Sequence, residues 1–318
     1  MILSSDEKKV LSVVTLQSEL SVRAISRRVG MKDHRVKYIL KKFGDEGAFY
    51  SYPFVNYHRL GYLEFNLFIA VKGGKGAARQ KLLAKLQDSP AVKHLGVTGG
   101  EYQIDVQIWT RSLDALRETL DGVARGSADI DYQVDTLMVG STTYFAANFL
   151  GVGGTSDDSV VIAPSGDIFE ADDLDRRIIR GIFSQKTPNV NLLAKTLGLS
   201  QSTLFARVER LKKQGVLVRM GFMLNHLKIG FSHVTLLLKA KRPSRAFAQA
   251  LGEFCIQSRA ACFLVECYGS WDYQVGVMLQ DQTKLSIFTD LLLESLGDQI
   301  VRVVPVPNFE TVAWRIGL

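Results

Sequence analysis

Two short stretches of this chain carry side chains of the kind that could read or hold a nucleic acid. In Ser200-Gln201-Ser202-Thr203-Leu204-Phe205-Ala206-Arg207-Val208-Glu209-Arg210, small polar groups come first and two guanidinium groups follow at later turns. On a helix this order places hydroxyl and amide groups at the N-terminus, where they can meet base edges in a major groove. Arg207 and Arg210 would then reach bases or phosphates. Ser200 is the expected N-cap, its side chain satisfying a backbone N–H with no partner inside the helix. The other stretch offers Lys32, His34, Arg35, Lys37, Lys41 and Lys42. Its chemistry is electrostatic and suits phosphates, contacts that position a protein but read little sequence.

The charge is distributed to match. The 318 residues carry a net charge of +7, which permits a nucleic-acid partner without demanding one. Residues 1–50 hold ten Lys/Arg against six Asp/Glu, and residues 174–220 hold ten against two, so most of the excess sits in these two segments. Between them, residues 151–173 carry six acids and no base, with Gly151, Gly153, Gly154, Pro164 and Gly166. That composition predicts a solvated linker over 151–171.

The elements that must position these side chains occur twice. A shift of 168 places Lys8-Lys9-Val10-Leu11 on Arg176-Arg177-Ile178-Ile179 and Gly47 on Gly215. A one-residue gap brings Leu60-Gly61-Tyr62 onto Ile229-Gly230-Phe231, and a shift of 171 aligns Tyr102-Gln103-Ile104 with Tyr273-Gln274-Val275. Each copy opens with helical spacing, as in Leu174, Ile178, Ile179 and Ile182, a break at Thr187-Pro188-Asn189, and then Leu192, Leu193 and Leu197. Three short helices with glycine in the tight turn predict a helix-turn-helix. The period then changes to that of βαββαβ, with strands at 234–240, 262–268, 273–279 and 300–306 and helices at 244–257 and 282–296. The fold class is therefore α+β, with two winged-type helix-turn-helix domains and two ferredoxin-like domains in tandem. The expected boundaries are 1–55, 60–150, 172–224 and 230–318. Alternation assigns Leu236, Leu238, Val275 and Val277 to an open apolar sheet face, which would pack on the other copy's sheet or on another chain.

These residues resemble a known family. Leu197 to Leu217 is similar to the second and third helices of the Lrp/AsnC, or feast-famine, transcriptional regulators, and Tyr268-Gly269-Ser270-Trp271-Asp272 resembles the glycine-to-aspartate turn that opens their sensor's third strand. The resemblance implies double-stranded DNA as partner, a homo-oligomer, and an amino-acid-like effector near Gly269, Asp272, Gly99 and Glu101. The first copy departs from it: Lys32 stands at the capping serine, Ile39 at Arg207, and Glu101 in a shorter turn.

Other functions find less support. Gly73-Gly74-Lys75-Gly76 lacks the ending of a phosphate loop, and no GxSxG or HExxH is present, so no cofactor, metal or catalytic residue is expected. Cys255, Cys262 and Cys267 show no CxxC spacing and read as reduced core residues. No apolar run is long enough to span a membrane, and the polar start predicts a cytoplasmic protein. One enzyme class shares the architecture. Asn56-Tyr57-His58-Arg59-Leu60-Gly61 and Asn225-His226-Leu227-Lys228-Ile229-Gly230 resemble a segment of siroheme decarboxylases, although residues 102–109 and 273–279 contain no His.

Overall fold

The computed structural model describes residues 2–72, 76–127, 130–152, 158–185, 190–281 and 283–315; the clusters at 73–75 and 153–154 and the break at 187–189 lie outside them. The first copy runs α1 (Ser5–Val14), α2 (Val22–Val29), α3 (Asp33–Asp45), β1 (Phe49–Val55), β2 (Leu63–Val71), α4 (Gly76–Asp88), β3 (Val92–Thr98), β4 (Ile104–Thr110), α5 (Leu113–Gly126) and β5 (Tyr132–Phe145). After β6 (Ser159–Ile162) the second copy repeats the order: α6 (Asp173–Ser184), α7 (Val190–Leu197), α8 (Gln201–Lys213), β7 (Leu217–Leu224), β8 (Ser232–Ala240), α9 (Arg245–Gln257), β9 (Ala261–Tyr268), β10 (Tyr273–Leu279), α10 (Lys284–Leu296) and β11 (Ile300–Trp314).

Local chemistry sets the helix ends. Ser4 and Glu7 form a reciprocal capping box on α1, and Asp172 and Asp175 form the same on α6. Gly30 closes α2 at φ +69°, and Gly198 takes the matching position at φ +68°. Ser200 caps α8 by accepting from the Thr203 N–H at 3.1 Å, whereas Lys32 makes no side-chain cap on α3.

The two copies are joined strand to strand. β1 and β7 form an antiparallel ribbon in which Phe49 pairs with Leu224 and Tyr52 with Gly221. Two bonds repeat across it: the Asn56 N–H donates to Val216 O and the Asn225 N–H to Ala48 O, both at 2.8 Å. That reciprocity marks a pseudo-two-fold axis. The ferredoxin-like sheets obey it as well. β5 pairs with β2 and then with β9, and β11 pairs with β8 and then with β3, so eight strands close in the order β2-β4-β3-β11-β8-β10-β9-β5 and back to β2. Closure leaves neither four-stranded sheet with an open edge.

Three expectations need correction. Leu236, Leu238, Val275 and Val277 pack on Phe247, Leu251, Phe288 and Leu292 of α9 and α10, not on another sheet. The face turned into the barrel carries Leu237, Val265, Cys267, Val304 and Val306, which meet Phe68, Leu137 and Val139 of the first copy. Second, Leu63 pairs with Thr110 and Ser232 with Leu279, so β2 and β4 map onto β8 and β10 with one shift of 169. The alignment of Tyr102 with Tyr273 is therefore two residues out, and Tyr102 corresponds to Trp271. Third, residues 158–163 are not a solvated spacer. β6 pairs with β5, Val160 and Ile162 are buried, and Asp158 takes an ion pair from Arg219 at 2.7 Å. Burial is the largest single effect and pushes the Asp158 carboxyl up, but the Arg219 pair, the Gln17 amide and the Ser159 N–H together outweigh it and hold the carboxyl below its ordinary pKa.

Where β7 crosses the end of α1, the Phe222 N–H donates to Thr15 O at 3.1 Å, and a Cβ on Gly221 would lie 2.0 Å from that same carbonyl oxygen. Backbone cannot yield as a flexible side chain does, so Gly221→Ala should lower stability by about 1 to 3 kcal/mol. Urea unfolding checks this, and an unchanged midpoint would show that the crossing is not tight.

Candidate DNA-reading helices and an interior cavity

The side chains expected at DNA divide into exposed and committed groups. Gln201, Ser202 and Thr203 are exposed on the first turn of α8, beside Phe205, which is 63% exposed. The Ser200 hydroxyl is shared among the Thr203 N–H and the hydroxyls of Ser202 and Thr203 at 2.7 to 3.1 Å. Arg207 turns back onto its own domain, donating to Asp172 and, at 3.1 Å, to the fully buried Asp175. Arg210 lies 3.5 Å from Asp175 and over the ring of Phe169. The same brace occurs in the first head, where Lys42 donates to Glu7 at 2.7 Å and Arg35 lies 3.4 Å from Asp6. In both copies the third residue of the capping box therefore anchors a cation of the third helix. Lys32, His34, Lys37 and Lys41 are exposed, Lys41 pairing with Asp45 one turn on.

The four turn residues gather at one end of the barrel. Asp272 accepts from the Ala240 N–H at 2.9 Å and from Lys239 at 3.0 Å, and Glu101 accepts from Arg302 at 2.7 Å. A Cβ on Gly269 would meet Thr136 O at 2.6 Å, and one on Gly99 would meet the Phe309 ring at 2.6 Å. Between the turns, the Trp271 indole donates at 3.1 Å to the hydroxyl of its counterpart Tyr102, which donates in turn to Asp135. Glu101 and Gly269 are exposed at this end, while Asp272 is buried. None of the four lines the interior cavity.

That cavity, about 160 Å³, lies between the barrel interior and the ribbon. His94 and Asp105 face each other at 3.2 Å, and the Asn66 amide donates to Gln274 at 3.2 Å. His226 and His233 lie with ring centroids 5.6 Å apart. His226 lines the cavity and His58 does not, because the shift of 169 makes Tyr57 the counterpart of His226. β4 and β10 contain no His, as expected, but His94 on β3 and His233 on β8 supply imidazoles from other strands. The pseudo-two-fold is broken here by size. On one side Trp109 stacks on Tyr57, its indole donates to Glu64, and Lys93 sits over its ring at 4.4 Å. Across the axis Met278 replaces Trp109, Cys262 replaces Lys93 and Gly276 replaces Gln107. Space opens where the smaller side chains stand. Among the described residues, no Lys or Arg lines it, while Glu64, Asp105 and Glu310 do.

The three cysteines are free thiols, and burial pushes Cys262 and Cys267 up to about 12. They are not nucleophiles near neutral pH. Among the described residues no His/Cys/Asp/Glu group could hold a metal, and no helix is long and apolar enough to cross a membrane.

A family model described as winged helix-turn-helix DNA-binding matches residues 172–218. The Rhodobacter capsulatus proline dehydrogenase transcriptional activator is 29% identical over 113 residues, covering 35% of this chain and 72% of that protein. An AsnC family transcriptional regulator from Agrobacterium tumefaciens superposes with a TM-score of 0.40 at 22% identity, over 46% of this chain and 94% of its own. The chain has winged helix-turn-helix and ferredoxin-like units in tandem duplicate. At full length, the siroheme decarboxylase NirDL, solved with an iron-uroporphyrin III analogue, shares the fold with a TM-score of 0.58 at 13% identity, covering 98% of this chain and 93% of that one.

Burial holds His226 below its ordinary pKa and His233 down to about 3, the latter assisted by its histidine neighbours against Asp105. The unfolded chain binds protons at these positions below about 6.5 and the folded chain does not, so stability is lost as pH falls from about 6.5 towards 3. At pH 5, His233 alone accounts for up to about 2 kcal/mol. Urea midpoints at pH 7.5 and pH 5 should differ, and His233→Gln should shrink the difference. Equal midpoints in the unaltered protein would contradict the buried neutral imidazole.

Proposed function

We propose that this chain is a DNA-binding transcriptional regulator that presents two unlike reading heads from one closed pseudo-dimer. The observation that carries the reading is the exposed polar first turn of α8, held on a domain that matches winged helix-turn-helix proteins over 172–218. The second head is the sequence reader, with Gln201, Ser202 and Thr203 at base edges, whereas the first head supplies phosphate contacts through Lys32, His34, Arg35 and Lys37. Arg207 and Arg210 brace the second head and touch DNA only where their pairs with Asp172 and Asp175 leave an N–H free. A second copy is not needed to close the barrel. A homo-oligomer would join closed barrels through outer surfaces such as α10, where Ile287 is 57% and Leu291 48% exposed.

Full-length likeness to NirDL favours a second reading, a siroheme decarboxylase acting in the cavity. The lining opposes it. Siroheme is a polycarboxylate, and a site for it needs cations that this one lacks among its described residues. The volume also falls short, since a cavity of roughly 150 Å³ accommodates benzene. Incubation with siroheme should release no carbon dioxide; stoichiometric release would establish the enzyme.

Two sets of variants test the regulator. Gln201→Ala with Ser202→Ala should cut the preference for a selected operator over random DNA by about 1 to 3 kcal/mol per lost contact while leaving the urea midpoint near that of the parent. Arg207→Ala should do the reverse, lowering stability by about 1 to 3 kcal/mol because the buried Asp175 then keeps only one cation, Arg210, beside the Asp172 N–H of its capping box. Operator preference unmoved by the first pair would remove α8 from the DNA. Replacing Lys32, Arg35 and Lys37 with Ala should make the slope of log affinity against log salt shallower by roughly 2 to 3. An unaltered slope would show that the first head does not meet phosphates.

A further inference from the structure

We infer that the barrel cavity is a binding site for a small single-ring compound with an amide or lactam edge, uncharged or singly cationic. This does not depend on the heads binding DNA. The first observation is a set of buried polar atoms without a good hydrogen-bond partner: Asn66 Oδ1, His94 Nδ1, Asp105 Oδ1, His226 Nε2 and His233 Nε2, with Gln274 Nε2, whose neighbour is only the weakly accepting Cys267 thiol. Asn66 and Gln274 are each 3% exposed and His94 is 8% exposed. Buried polar groups are costly unless something satisfies them, and six around one cavity point to an occupant.

Their arrangement specifies the occupant's chemistry. Asn66 spends one of its two N–H groups on Gln274 Oε1, and the atoms left without a partner are the carbonyl oxygen of Asn66 and the amide nitrogen of Gln274. If both amides turned over, one acceptor and one donor would still remain. The complement of that pair is an adjacent N–H and C=O, the edge of a carboxamide or lactam. Asp105, with one oxygen at His94 and the other free, takes a second N–H. Aromatic walls at Phe54, Tyr144, Phe263 and Trp314 suit a flat ring, and the volume limits it to about one.

Charge decides which ligands are rejected. Glu64, Asp105 and Glu310 line the space; Lys93 answers Glu64 at 3.5 Å from behind the wall, burial keeps His226 and His233 neutral, and among the described lining residues no ammonium or guanidinium is left to receive a carboxylate. The absence of symmetry is part of the same design. The counterpart volume is filled by Trp109, and Met278 is what keeps this one open.

The test is a matched pair of probes on the full chain at pH 7.5, followed by saturation-transfer NMR and calorimetry. Nicotinamide presents a ring with a carboxamide edge, and nicotinate replaces that edge with a carboxylate. Nicotinamide should bind, and nicotinate should bind at least about tenfold more weakly. Met278→Trp, which places on this side the residue that fills the other, should abolish nicotinamide binding. If that variant does not fold, Asn66→Leu with Gln274→Leu replaces the bonded pair by apolar groups and should remove the preference for nicotinamide over nicotinate. Equal binding of the two probes, nicotinamide binding retained in Met278→Trp or preference retained in the double leucine variant, or no binding of nicotinamide at about 20 mM would each overturn the assignment; in the last case the polar atoms are satisfied by water.

Discussion

The rest of the structure depends on one constraint, that a sheet edge left in water must find a partner. Each βαββαβ unit here has two such edges. β5 and β11 solve the problem reciprocally: each runs beside the first strand of its own unit and then continues onto an edge strand of the other. The same two-fold relation carries upward to the β1–β7 ribbon, so the two heads are fixed to a closed barrel at paired strands and not by a free tether. Asp158 and β6, in the segment between the copies, are tied into this frame as well.

Placing both halves in one chain frees them to differ. A symmetric pair of identical chains would have to put the same residue on both sides of the axis, either two tryptophans or two methionines. This chain has Trp109 on one side and Met278 on the other, Lys93 against Cys262, and Glu64 against His233. The outcome is an interior cavity offset from the axis, on the side where Met278 stands. The heads differ by the same logic, with a serine-capped reader in one and an uncapped lysine-rich helix in the other. What both heads retain is the brace between the capping-box acid and the third helix, which fixes that helix's pose before any DNA arrives.

Much of this was legible in the residues. Period alone located every helix and strand of both βαββαβ units, and β10 agrees with its expected limits. The orientation of β8 was not legible, because Leu236, Leu237 and Leu238 are all buried and alternation cannot distinguish two buried faces. Matching the Tyr-Gln pairs misaligned the third strands, since two shared letters carry less information than seven backbone pairings. The acid-rich stretch concealed β6 because composition averages over Val160 and Ile162. The cavity had a signal that went unread: Glu64 and Asn66 in β2, Asp105 and Gln107 in β4, and Gln274 in β10 are polar residues recurring every second position in otherwise apolar strands. In a barrel, that spacing places them together inside.

The most direct measurement of the central claim is amide hydrogen exchange, residue by residue, on the monomeric chain at micromolar concentration. If the two units close intramolecularly, amides at the seams, such as those of Gly99 and Arg315, which donate to Pro307 O and Lys93 O, should be protected to a degree approaching that of the central strands β4 and β10, and independently of concentration. Seam amides that exchange as fast as exposed loops while β4 and β10 stay protected would show two separate sheets, and the closed pseudo-dimer would be wrong.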